Sequence, residues 1–112
     1  MEARDIKEIE HSLYCKIMIP YGDKKVYNAM YLIFNDILEC YLKRKPTYLD
    51  FDKIVMSRSN YLIYAKYDDF DLCMIDIHSS YSGYDIKAKT PNNTIYNCNV
   101  NEVVGTLYKT VK

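Results

Sequence analysis

Chemistry on a protein needs groups that ionise, coordinate or attack, and this chain concentrates them in few places. Four cysteines, Cys15, Cys40, Cys73 and Cys98, stand far apart, and the two histidines, His11 and His78, are equally isolated. Zinc sites usually take ligands in close pairs, because a short turn can aim both at one ion. No such pair occurs here, so the cysteines read as small buried hydrophobes of a reduced protein. With three glycines in all, neither a phosphate-cradling loop nor a nucleophile elbow is present. His78-Ser79 beside Asp76 has the residue types of a triad, but it reads more simply as a polar strand end. One constellation has mechanical content. Asp76 is followed, after a loop, by Asp85-Ile86-Lys87. On neighbouring strands, the two carboxylates would hold a divalent cation and the lysine would position or activate water.

That pattern resembles the D…(D/E)-x-K hairpin of the restriction-endonuclease-like nucleases. The resemblance implies Mg²⁺-dependent phosphodiester cleavage, with Asp76 and Asp85 as metal ligands and Lys87 beside the attacking water. It covers only the stretch from 76 to 87. Ile75 stands where the family has proline, and another strand, rather than the family's helix, follows Lys87. A nuclease is therefore the alternative reading, and no cofactor or metal is expected. Lys43-Arg44-Lys45, with Tyr41 and Tyr48 nearby, has the makings of a phosphate grip with stacking rings. Fifteen basic residues balance fifteen acidic ones, however, and nonspecific nucleic-acid affinity needs many phosphate contacts. Nucleic acid is not the favoured partner, and the tract reads as the cationic end of a helix.

The elements that carry these residues follow from periodicity. Residues 2 to 11 suggest a short helix, and the alternation from Leu13 to Ile19 suggests a strand, with a continued helix as the alternative. The clearest segment begins after Asp23, a natural N-cap. Val26, Tyr27, Met30, Tyr31, Phe34, Ile37, Leu38, Tyr41 and Leu42 recur at helical spacing, and Pro46 stops the run. A helical turn fits Thr47 to Lys53. Strands are expected from Ile54 to Ser57, Tyr61 to Tyr67, Phe70 to His78, Tyr84 to Lys89 and Thr94 to Cys98, with a tight turn at Asp68-Asp69. Asn99 and Glu102 then have capping-box spacing ahead of Val100, Val103, Val104, Leu107, Tyr108 and Val111, which predicts a closing helix. Residues 1–112 thus form a single α+β domain. It is an antiparallel meander of four to five strands, with a long amphipathic helix before it and a C-terminal helix after it.

Composition narrows the function classes. The chain is 49% hydrophobic, 27% charged and neutral overall, which excludes a disordered chain, a nucleic-acid coat and an acidic mimic. No apolar run is long enough for a transmembrane span, and the charged N-terminus lacks a signal-peptide core, so a cytoplasmic location is expected. Ile, Lys, Asn, Tyr, Phe and Met make up nearly half the chain, the coding bias of a low-GC genome.

Thirteen tyrosines without a tryptophan are the last compositional clue. Tyrosine buries a ring while keeping a polar tip, which suits interfaces. A two-residue turn at Asp68-Asp69 pairs Ile63 with Met74. Ile63, Ala65, Tyr67, Phe70, Leu72 and Met74 then face the helices, and Leu62, Tyr64, Cys73, Ile75 and Ile77 face away. That second face is too apolar for open water, so Leu62, Tyr64, Ile75 and Ile77 are the expected contact residues. The face is covered by the N-terminal segment of the chain itself, or it meets a partner, either a larger protein or a second copy. The leading expectation is a small non-catalytic binding module, of the kind phages and mobile elements encode as inhibitors (an anti-CRISPR-like protein) or of the immunity-protein kind.

Overall fold

The computed structural model describes residues 3–17, 24–60, 62–80, 83–101 and 106–110. Three helices precede six strands: α1 (Ala3–Lys16), α2 (Lys24–Leu42), α3 (Tyr48–Asp52), β1 (Ile54–Ser59), β2 (Leu62–Tyr67), β3 (Phe70–Ser80), β4 (Gly83–Lys89), β5 (Ile95–Asn101) and β6 (Thr106–Thr110). The strands form one antiparallel sheet in sequence order, β1 to β6. Short turns make that meander. Asn60, Asp68 and Asn93 take positive φ at three of them, a conformation that Asn and Asp tolerate better than most residues.

The expected long helix is α2, and its apolar stripe lies across β3, β4 and β5. Val26, Met30, Ile33, Phe34 and Leu38 are fully buried there, in one cluster with Ile63, Ile75, Ile86 and Tyr96 of the sheet. The Tyr96 hydroxyl reaches across to Asp36 of α2 at 2.5 Å, so the polar tip of a buried ring is satisfied. α1 packs on α2 and α3 through Ile9 and Leu13. At its end Lys16 donates to three carbonyls, Phe51 O at 2.7 Å, Asp52 O at 3.0 Å and Ile54 O at 2.9 Å. Those carbonyls lie where α3 gives way to β1, and the lysine ammonium supplies a donor to each. Burial there lowers the Lys16 pKa, opposed by the charge of Asp52.

Three expectations are corrected. The alternation after Leu13 is not a strand, since α1 continues to Lys16, and Leu13 and Ile17 both bury four apart on its inner side. Among the described residues the meander has six strands rather than four or five, and no helix closes it. β5 runs on through Asn99 and Val100 to Asn101, and Thr106–Thr110 is the sixth strand. Asn99 is a strand residue, not a cap, and Glu102 lies outside the described residues, as do Asp23, Val103 and Val104. The segment is rich in Val and Thr, which favour strands, and Gly105 would sit inside the helix at a cost of about 1 kcal/mol.

The third correction concerns register. Tyr67 faces Phe70 and Lys66 faces Asp71 as expected, but a bulge then shifts the pairing between Ala65 and Lys66. Beyond it Ala65 faces Cys73, Tyr64 faces Met74 and Ile63 faces Ile75. One extra residue on β3 reverses which side every later residue takes. Cys73 and Ile75 therefore join the core, Ile77 packs half-buried against it, and Met74 turns outward.

Candidate interaction surface

All three helices lie on one side of the sheet, and the outer side carries none of them among the described residues. The bulge is what makes such a face tolerable, because it moves Cys73, Ile75 and Ile77 inward and leaves a mixed surface. Of the four contact residues expected from sequence, Leu62 and Tyr64 lie on the outer face, half-buried and 41% exposed respectively. Ile75 is wholly buried on the helix side, and Ile77, half-buried, packs against the same inner cluster rather than lying on the outer face. Met74, 37% exposed, replaces them as the cross-strand neighbour of Tyr64.

Around this pair lies a shallow groove of about 430 Å³, bordered by Tyr64, Met74, Asp71, Lys89, Pro91 and Asn93. Val55, exposed on β1, stands opposite Lys66 on the same side. At the tip of the β2–β3 hairpin Phe70 is 57% exposed, and its ring meets Tyr41 at 5.4 Å. Phe70 beside a predicted turn could have been read as an exposed tip from sequence. Met74 could not, since its side depends on the bulge.

Toward the other end the face becomes polar. Asp76 lies opposite Lys87, and His78 opposite Asp85. The sequence constellation is thus brought onto one face of adjacent strands, but with other partners. His78 Nε2 lies 2.9 Å from Asp76 Oδ1, and Asn99 donates to Asp85 Oδ1 at 2.5 Å. The His78 contact is an ion-pair distance without hydrogen-bond alignment, so Asp76 Oδ1 is an under-satisfied acceptor among the described residues. No three metal-ligating side chains converge among the described residues.

The basic tract divides. Arg44 is committed to Asp50 through a two-pronged contact at 2.8 and 2.9 Å, while Lys43 and Lys45 are exposed. No cysteine pairs with another: Cys15 and Cys40 are exposed, Cys73 and Cys98 buried. Burial pushes the Cys73 thiol up to about 12 and raises that of Cys98 as well. Thiolate is the reactive form. A disulfide-exchange reagent at neutral pH should therefore label Cys15 and Cys40 in the native protein, and Cys73 and Cys98 only after denaturant is added. Four equally fast thiols would contradict this burial pattern.

No described helix is long and apolar enough to cross a membrane. Searches against protein-family models, curated proteins and solved structures returned no match to this chain.

Proposed function

We propose that the chain is a small non-catalytic protein-binding module that acts by occupying a surface of a larger partner, with the outer sheet face around Tyr64 and Met74 as its contact. The observation that supports this reading most is the one-sided packing. The sheet has a face that carries none of the described helices, and two large apolar side chains sit next to each other on it. Interfaces concentrate their energy in a few such anchors inside a polar rim, and Lys66, Lys89 and Asp71 supply charge around them. An inhibitor encoded by a phage or mobile element, anti-CRISPR-like or immunity-like, fits the small size, the neutral charge and the low-GC coding.

A photo-crosslinking residue placed at position 64 tests it. In the native host it should trap a discrete partner, while the same residue at Lys25, exposed on α2, should not. With the partner identified, Tyr64→Ala should weaken binding roughly ten- to hundredfold and leave the melting temperature nearly unchanged. Equal trapping from both positions, or unaltered affinity in the variant, defeats the assignment.

The Mg²⁺-dependent nuclease stands second, because Asp76, Asp85 and Lys87 share one face of adjacent strands. Against it, Lys87 stands directly opposite Asp76, where its charge competes with a cation, and Asp85 already engages Asn99. We expect no cleavage of DNA or RNA by purified protein with Mg²⁺ or Mn²⁺. EDTA-sensitive cleavage that Asp85→Asn abolishes would reverse the ranking.

A further inference from the structure

β1 is an outer strand of the sheet, and among the described residues no strand pairs with its open edge. Asp68 N donates to Lys53 O, so in the alternating antiparallel ladder residues 53, 55, 57 and 59 bond to β2. Residues 54, 56 and 58 turn their backbone groups the other way. Ile54 O fits that assignment, since it accepts from Lys16 Nζ rather than from β2. Met56 stands at the centre of the row, with its N–H and its C=O both turned to the edge.

Such an edge is a template for another strand, and proteins commonly guard it with proline, lysine or a bulge. β1 contains no proline, and its pairing with β2 runs from Ile54 to Ser59 without a shift. Its outer side chains are open too, since Val55 is 61% exposed and Ser57 and Ser59 are exposed along the same side. The charges here have one sign. From 53 to 59 the charged residues are Lys53 and Arg58, one near each end, and both are exposed. Lys53 Nζ lies 5.6 Å from the centre of the Tyr67 ring, and Arg58 Nε donates to Asn60 O; neither contact removes the charge. Of the nearby carboxylates, Asp52 acts on Lys16, and Asp68 sits on the β2 side of Lys53, away from the edge.

We propose that the edge of β1 is extended by an antiparallel strand of a protein partner, one with an acidic residue near each end and small or β-branched residues between. The backbone groups of Met56 set the mode of binding, and charge selects the segment, because its carboxylates come beside Lys53 and Arg58. A second copy is disfavoured on the same ground. Antiparallel pairing of two β1 strands brings the Arg58 end of one alongside the Lys53 end of the other, like charge against like. The added strand continues the outer face beside Val55 and Ser57, and Ser57 is the cross-strand neighbour of Tyr64. In this the inference rests on the protein-binding reading.

The test uses the full chain, isotope-labelled for amide hydrogen exchange by NMR at low salt. The first probe is acetyl-Glu-Val-Thr-Val-Thr-Glu-amide, whose glutamates are spaced like Lys53 and Arg58. The second has lysine at both ends, and the third is the acidic peptide N-methylated at alternate residues. The acidic peptide should slow exchange of the Met56 amide saturably, while the Ser57 amide, already bonded to β2, changes little. The lysine peptide should bind about tenfold more weakly or worse, because two attractions become repulsions. The N-methylated peptide keeps the charge but lacks the donors, and it should leave Met56 unprotected. Arg58→Glu should remove the preference for the acidic peptide with nearly unchanged melting, whereas Arg58→Lys should retain it. Equal binding of the acidic and lysine peptides, or no slowing at Met56, overturns the inference. Self-association of the protein alone, with Met56 protected, also overturns it and makes a second copy the occupant. Crosslinking from position 64 that succeeds while the acidic peptide fails removes this inference alone; the reverse outcome removes the Tyr64 surface alone.

Discussion

Replacing Asp50 with alanine should destabilise the protein by about 1–3 kcal/mol, the cost of leaving buried hydrogen-bond donors without their acceptor, since the Arg44 guanidinium left behind is itself half-exposed. Asp50 is a carboxylate with a side chain only 4% exposed, and it holds four groups together. Arg44 contacts both its oxygens at 2.8 and 2.9 Å, the Thr47 amide donates at 2.7 Å, the Thr47 hydroxyl at 3.1 Å and the Tyr67 hydroxyl at 3.0 Å. One side chain thereby joins the end of α2, the start of α3 and strand β2. Alanine would leave the Tyr67 hydroxyl and the Thr47 amide without their acceptor. Asp50→Asn keeps an acceptor and should cost less. Urea unfolding at neutral pH measures both; a loss below about 1 kcal/mol for the alanine variant would mean the network contributes little.

The same residue sets an acid response. The Arg44 guanidinium, helped by the donors from Thr47 and Tyr67, holds the Asp50 carboxyl well below the usual carboxylate range, against the opposing effect of burial. A depressed folded-state pKa stabilises the fold above the unfolded value, near ~3.9, and that stability is lost as pH falls through the folded pKa. The stability difference between wild type and Asp50→Asn should therefore be flat from about pH 5 to 8 and shrink below about pH 4. A difference that instead vanished near neutrality would assign the effect to another group.

Much of this fold could be read directly from sequence, and the parts that could not share one cause. The helix from Lys24 to Leu42 was legible because nine apolar residues kept a single period over five turns, longer than any accidental alternation. The hairpins were legible because Asp68-Asp69 and the Pro91-Asn92-Asn93 stretch supply the turn chemistry their backbone needs. The last segment was not, because Val100, Val104, Leu107 and Val111 satisfy a helical spacing while their neighbours satisfy a strand. Pairing along β5, a tertiary effect that no local window contains, decides between them. The candidate surface was half legible for the same reason. The side of Tyr64 follows from the alternation within β2, which runs unbroken from Leu62 to Ala65. The sides of Ile75 and Ile77 depend on the pairing of β2 with β3, where the bulge intervenes. Asp76, Asp85 and Lys87 come onto one face because β3 and β4 pair without a shift.

The bulge also yields the second large effect. With an unbroken hairpin, Met74 would lie under α2 and Ile75 would face outward; with the bulge, the roles exchange. Ile75→Asp should then cost several kcal/mol, because it places an unpaired carboxylate at a position with no exposed surface, between Ile63 on one side and Ala88 on the other. Met74→Asp, one residue away and chemically as severe, should stay within about 1 kcal/mol. Its carboxylate would stand in water opposite Lys89, where a cross-strand pair of opposite charge recovers roughly 0.2–1 kcal/mol. The contrast between neighbours is what makes the pair informative, since a strand tolerant at both positions or intolerant at both would fit neither register. A larger loss at Met74 than at Ile75 would restore the unbroken hairpin, return Ile75 to the outer face, and move the proposed contact surface with it.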